Sequence, residues 1–387
     1  MTLEEALARF HAGSPALALA RSRLRAERAG SRQGAALPNP TATFSNEDLG
    51  DYSERYLTLA QRVDFLWDGS ARGRRADALA QRARSRFLAD SARLALEVER
   101  AHVAAWEAVA RGRVLARTEE AVVSLLADAR ARFAEGDLAG YDVRRLEVEG
   151  ARVARQRVEA EVAQDLAEAR LAALVGGDAA TRLGAAQPTG LLPVLPLSFD
   201  AVGVALARRP ELGVARADAA AQQVEVSLAR SSVLSGTSLQ AGLKRQSDGQ
   251  NGLFLGVQVP IPILDRKGSA VAAATAATAG AEAEVALVQR MVAVEALGAR
   301  ARLSAARRIA EQVDGRGIAE AADLLEIATL AYGEGEIGIV EMVDATRTFT
   351  EAALQGLEAR VALWRAYFEF NQAVGGLADA TNQGDER

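Results

Sequence analysis

Glu341 and Asp344 stand three residues apart in the stretch Gly333-Glu334-Gly335-Glu336-Ile337-Gly338-Ile339-Val340-Glu341-Met342-Val343-Asp344-Ala345. On a helix leaving the glycine turn, that spacing puts both carboxylates on one face. Carboxylates crowded together attract cations and raise one another's pKa. Acids at a helix start also meet the positive end of the helix dipole, worth ~0.3–1 kcal/mol each. Catalysis is a weaker prospect. The other acids lie mostly in helical stretches with no His or Lys constellation, so no acid–base set emerges and an enzyme is not expected. His11 and His102 are far apart and lack an HxxxH or HxxE partner, and cysteine is absent. A disulfide, a thiolate metal site and a Cys nucleophile are excluded, and neither a resident metal nor a cofactor is expected.

The composition describes the elements that must carry these residues. Of 387 residues 49% are hydrophobic but only 5% aromatic, so the apolar part is mostly Ala, Val and Leu. Such a chain suits long helices packed through small side chains. The net charge is −5, and arginine is interleaved with Glu and Asp along helices. That argues for solvated helix faces and against a nucleic-acid partner. No run of about 20 apolar residues is present, so no membrane-spanning helix is expected. No leader precedes Thr2-Leu3-Glu4-Glu5-Ala6. The plain reading of that start is cytoplasmic, and the other is a mature form whose leader has been removed.

No proline lies between Thr41 and Gln187, and none follows Pro262. Proline costs ~3 kcal/mol inside a helix, so these stretches are free to form long ones. From Ala71 to Phe133 one stripe runs through Leu79, Ala83, Phe87, Leu94, Val98, Ala101 and Ala105, continuing to Phe133, and a second through Leu96, Val103 and Trp106. Two stripes mean neighbours on two sides, and a helix of that length would span ~95 Å. Leu354, Leu357, Val361, Trp364 and Phe368 mark another packed seam.

The chain also reads as an internal repeat. Leu7-Ala8-Arg9 with Pro15 is matched by Leu206-Ala207-Arg208 with Pro210. Gln61 to Asp68 is matched by Gln258 to Asp265, and Phe133 to Leu138 by Tyr332 to Ile337. The first copy covers residues 1–190: a helix, a β-hairpin over 41–66, a long helix over 71–134, a tip turn at 135–140, a return helix to 175 and a linker. The second covers residues 191–387: a helix, a hairpin over 236–262, a long helix over 268–332, a tip turn at 333–338, a return helix to 375 and a tail. The two copies are expected to make one structural unit.

Each hairpin alternates. Leu57, Leu59, Val63 and Phe65 oppose Thr58, Arg62 and Asp64, while Leu239, Ala241 and Leu243 oppose Ser238, Gln240 and Lys244. Leu253, Leu255, Val257, Val259 and Ile261 continue the apolar face. Strands of about ten residues with one apolar face suit a membrane barrel, or a surface hairpin of a soluble protein. Gln61 shares the parity of the apolar face whereas Gln258 opposes it, which predicts a bulge or a register difference.

With these residues in place the chain, from Leu3 to Gly376, resembles the TolC-type outer-membrane factors. Its carriers are Leu3-Glu4-Glu5-Ala6-Leu7, Leu37-Pro38-Asn39-Pro40, the two glycine turns and Gly335 to Ala345. Glu341 replaces the first Asp of the family's tip signature. Val257-Gln258-Val259-Pro260-Ile261-Pro262-Ile263-Leu264-Asp265-Arg266 is similar to the heavy-metal branch, although Lys267 stands where Asn is usual.

The resemblance implies a mainly α chain with a small β part: a homotrimer with a helical barrel in the periplasm and a 12-stranded barrel in outer-membrane lipid, four strands per protomer. It implies a passive exit duct of a tripartite efflux pump, passing heavy-metal cations, with a periplasmic adaptor protein and an inner-membrane RND-type pump as partners. The leader would have been removed. Gly136, Asp137, Leu138, Gly335, Glu336 and Ile337 would form adaptor-facing tip turns. Glu341, Asp344, Tyr332 and Asp142 would form the periplasmic gate, with Tyr332 and Asp142 sharing a hydrogen bond. The segment Gln187–Leu197 would link the two copies at the duct's equator. A multidrug or type I secretion duct is the alternative substrate reading, and a soluble coiled-coil scaffold the alternative class.

Overall fold

In a computed structural model, which describes residues 1–48, 50–178, 180–188, 199–313 and 318–376, the helices break where the prolines fall. Helix α1 (Leu3–Gly13) stops at Ser14 and α2 (Pro15–Ala35) starts on Pro15. Likewise α5 (Ala201–Arg208) stops at Arg209 and α6 (Pro210–Ser231) starts on Pro210. Proline at the first helical position has no N–H to lose and its φ already suits a helix. A capping box fixes the start of α1: the Glu5 N–H donates to Thr2 Oγ1 at 3.2 Å, and the Thr2 N–H to Glu5 Oε2 at 2.9 Å.

The remaining elements are β1 (Thr41–Asp48), β2 (Ser53–Arg62), α3 (Phe65–Glu135), α4 (Gly140–Val175), β3 (Ser238–Gln246), β4 (Asn251–Gln258), α7 (Gly268–Gln312), α8 (Ile318–Gly333) and α9 (Ile339–Ala373). Helix α3 starts earlier than the composition suggests and runs for 71 residues, ~107 Å of helix. One continuous helix over 268–332 is an expectation that falls partly on 314–317, outside the described residues. The linker over 189–197 and the tail beyond 376 also lie outside them.

The residues gather into two compact units, each drawing on both halves of the sequence. One comprises residues 20–90 and 210–291 and holds a four-stranded antiparallel sheet in the order β1-β2-β3-β4. Rows of cross-strand partners make one face apolar: Phe44, Leu57, Leu243 and Leu253 form one row, and Ala42, Leu59, Ala241 and Leu255 the next. Phe44 is 68% exposed and Leu255 71%, so no described residue covers this face. Among the described residues β1 and β4 each keep one edge unpaired.

The register of β2 against β3 runs without a bulge from Glu54–Gln246 to Arg62–Ser238. Ser238 is level with both Arg62 and Gln258, so the parity mismatch of Gln61 is a register difference. The Gln61 amide, on the apolar face, donates to the carbonyls of Pro38 and Arg62, each at 3.0 Å. The alternation expected to run through Phe65 stops at Arg62. Val63 and Asp64 turn inward, where Asp64 pairs with Arg62 and, at 3.2 Å, with Arg72. A buried carboxylate needs such partners, and they pull the chain out of the sheet.

The other unit comprises residues 1–19, 91–209 and 292–387 and is helical in its described part. Phe10, Leu17, Val98, Val103, Leu146, Leu171 and Phe370 are fully buried in its core. His102 is buried with them, and its Nε2 lies 3.2 Å from the Met1 carbonyl oxygen.

By length and composition α7 is apolar enough to cross a membrane. Its apolar character comes from a long stretch of alanines and valines, which a search for bulky apolar runs overlooks. Only 6% of that window is buried, and Leu287, Met291, Val294 and Leu297 form an exposed stripe along α7. On α4 a second exposed stripe holds Val158, Val162 and Leu166.

Candidate functional site at the helix turns

The α3–α4 and α8–α9 turns are built alike. After α3 the Gly136 N–H donates to the Phe133 carbonyl at 3.1 Å and the Asp137 N–H to the Arg132 carbonyl at 2.9 Å. After α8 the Gly335 N–H donates to the Tyr332 carbonyl at 3.2 Å and the Glu336 N–H to the Ala331 carbonyl at 2.8 Å. Both are Schellman motifs, in which a left-handed residue lets the last carbonyls find donors. Gly136 has φ +87° and Gly335 φ +77°, conformations in which a β-carbon would be strained.

Next to each glycine an acid, Asp137 or Glu336, is exposed, and the following apolar residue folds back. Leu138 and Ile337 pack on a buried cluster of Leu125, Ala129, Val143, Leu146, Tyr332, Ile339 and Val343, so all four helices share one apolar knot. Burying these side chains, at roughly 1.5–3 kcal/mol each, leaves the glycines and acids as the outer surface.

Tyr332 belongs to the knot. Its ring is buried under the Arg132 guanidinium, whose carbon lies 4.9 Å from the ring centroid. The hydroxyl has no hydrogen-bond partner among the described residues, so the expected bond to Asp142 is absent. The ring serves as core instead, and half-buried Asp142 acts on it only through its field. Burial raises the pKa of the phenol, which Arg132 opposes and Asp128 and Asp142 reinforce, so the hydroxyl stays protonated. Tyr332→Phe removes an unsatisfied buried group and should leave thermal stability unchanged or raise it by up to ~1 kcal/mol. Thermal unfolding in detergent followed by circular dichroism would measure this, and a clear loss of stability would mean that the hydroxyl has a partner.

Glu341 and Asp344 lie together on the exposed face at the start of α9. The cap residue, Gly338, offers no side chain. A β-carbon there would stand 3.0 Å from the Glu341 carboxylate, so the glycine leaves that acid room over the helix start.

Below this face is a network that the sequence reading misses. Glu149 of α4 is buried between two arginines. Arg347 of α9 grips it with both Nε, at 3.0 Å, and Nη2, and the Arg152 Nε lies 3.1 Å from each carboxylate oxygen. Burial alone would raise the carboxyl's pKa, but the hydrogen bonds from Arg347 and Arg152 overcome it and hold it at about 2. Nearby, the hydroxyls of Thr118 on α3 and Thr350 on α9 pair at 2.9 Å. A signal was present, since Glu149 falls at helical spacing between Leu146 and Val153, both fully buried.

This architecture matches known proteins along nearly its whole length. The cobalt-zinc-cadmium resistance protein CzcC of Cupriavidus metallidurans is 25% identical over 379 residues, covering 92% of this chain and 86% of that protein. The crystal structure of the outer membrane protein VceC of Vibrio cholerae superposes with a TM-score of 0.77 at 17% identity, covering 97% of this chain and 96% of that one. This is the fold of the TolC-type outer-membrane channels. The CmeC outer membrane channel of Campylobacter jejuni gives a TM-score of 0.78 at 15% identity, covering 97% of this chain and 85% of its own. No family model matches the sequence. The proteins it superposes on are outer-membrane proteins and channels, not enzymes. Among the described residues no three acidic or histidine side chains gather closely enough to hold a metal ion.

Proposed function

We propose that the chain is the outer-membrane exit duct of a tripartite efflux system and that three copies form it. The observation that carries this reading is the sheet: four strands, one face apolar and exposed, and both outer edges unpaired among the described residues. In hydrocarbon every backbone group must be paired, so an open sheet of this kind requires other copies to close it. Three copies give twelve strands, an even number as bacterial barrels have. The separate exposed stripes on α4 and α7 support the same arrangement. Two different patches on one chain make a head-to-tail contact, which closes into a ring of three when each copy turns a third of a circle from the last.

The sheet lies in the outer membrane and the helices in the periplasm. The glycine turns and their exposed acids, Asp137 and Glu336, face a periplasmic adaptor and, through it, an inner-membrane RND-type pump. Glu341, Asp344, Asp142 and Tyr332 belong to the gate at that end, with Tyr332 acting through packing. The cargo is heavy-metal cations, a reading supported by the likeness to the cobalt-zinc-cadmium resistance protein and by the string Val257 to Arg266. No cargo is held permanently; it passes through.

The test is extraction and mass. The chain should leave membranes only with detergent, and light scattering corrected for detergent should give three copies. A monodisperse monomer in detergent-free buffer would overturn the duct. Restored zinc, cobalt and cadmium tolerance in cells that have a metal pump and adaptor but lack their duct would support the cargo. Restored tolerance to organic drugs alone would replace it.

A further inference from the structure

On the sheet's apolar face, one row beyond Phe44, Leu57, Leu243 and Leu253, stands the row Asn46, Arg55, Arg245 and Asn251. It lies ~7 Å further along the strands, toward the hairpin turns and away from the helices. Arg55 and Arg245 are direct cross-strand partners, and both are exposed. Like charges in that position destabilise a sheet. Yet among the described residues neither arginine has a carboxylate partner; the Arg55 Nε donates only to Asn46 Oδ1, at 3.2 Å. The sheet's other face treats its cations differently: Arg62 pairs with Asp64. There Lys244 sits 2.6 Å from Glu54, whose carboxylate also accepts from Tyr52, Tyr56 and Gln246. One face therefore neutralises its positive charge, and the other presents it.

The two arginines head a shallow groove of about 250 Å³ whose floor includes Phe44, Leu57 and Leu243. We propose that Arg55 and Arg245 bind the phosphate of an anionic glycolipid in the outer leaflet, with an acyl chain lying along the groove. This rests on the duct reading, which puts the hairpin turns outside and this face against lipid. The chemistry fits: guanidinium groups bind phosphate through two parallel hydrogen bonds, and basic pairs at a membrane surface recruit anionic headgroups. In a trimer the site recurs three times around the barrel.

The experiment uses the detergent-solubilised full chain with three probes: a glucosamine-disaccharide glycolipid carrying two phosphates, the same lipid dephosphorylated, and inorganic phosphate. Native mass spectrometry counts bound lipid per trimer. The wild type should retain the phosphorylated lipid roughly tenfold better than Arg55→Ala/Arg245→Ala and roughly tenfold better than it retains the dephosphorylated form. Arg55→Lys/Arg245→Lys should fall between, because it keeps charge without the planar fork. Equal retention of all lipids, or by wild type and double variant alike, would overturn the proposal. Displacement by inorganic phosphate at equal concentration would make this a free-anion site and overturn the lipid assignment. Should the alanine variant not assemble, the comparison of the two lipids on wild type still decides. A detergent-free monomer would instead sink the duct reading itself.

Discussion

Glu149→Ala should loosen the end of the helical unit without unfolding the rest. Arg347 and Arg152 lose a shared carboxylate, and α4 loses its charged tie to α9. The depression of the Glu149 pKa from 4.5 to about 2 corresponds to roughly 3 kcal/mol. Part of that returns when the two half-exposed guanidinium groups regain water, so a net cost of about 2 kcal/mol is expected. Local opening would then rise about thirtyfold, visible as faster amide exchange around residues 146–153 and 343–350. Acid should do the same to the wild type. A depressed carboxylate contributes stability above its unfolded pKa and loses it as pH falls through the folded one. The loss should therefore run from about pH 4.5 down to about 2, and Glu149→Gln should lack it. Identical exchange in variant and wild type would mean that the apolar knot alone holds these helices.

The double change Glu341→Ala/Asp344→Ala tests the gate. If their shared face lines the duct, three copies carry two rings of three carboxylates at its end, and rings of acids select cations. In planar bilayers the wild-type channel should favour cations, with block by multivalent cations added on the helical side. The variant should lose about tenfold in selectivity and lose the block. Stability should change little, because both side chains are exposed and each contributes at most ~1 kcal/mol at the helix start. Selectivity and block that both survive in an intact trimer would leave these acids as helix-start residues and move the gate elsewhere.

What the sequence makes legible follows from how local each cause is. Gly136 and Gly335 are readable because a left-handed residue after a long helix calls for glycine, whatever surrounds it. The faces of β2, β3 and β4 are readable because alternation of period two is a local pattern. The positions of Glu149, Arg347 and Arg152 depend on which helices become neighbours. In sequence they look like any other acid and base on a charged helix face. Asp64 is misplaced for a related reason: the alternation of Leu57 and Leu59 seems to continue through it, but Arg72, eight residues away, captures its carboxylate. The likeness that names the fold suggests a bond between Asp142 and Tyr332. The packing of Tyr332 against Ile339, Val343 and Arg132 sends its ring elsewhere.

The two unpaired strand edges bear on inheritance as well as on architecture. In the proposed trimer, a protomer with a damaged β1 or β4 does not fail alone; it leaves a gap in a wall that two sound chains were to complete. In a cell making sound and damaged chains in equal amounts, random mixing leaves roughly one trimer in eight wholly sound. Edge mutations should then behave as dominant alleles. In that proposed trimer the unit on which selection acts is the set of three.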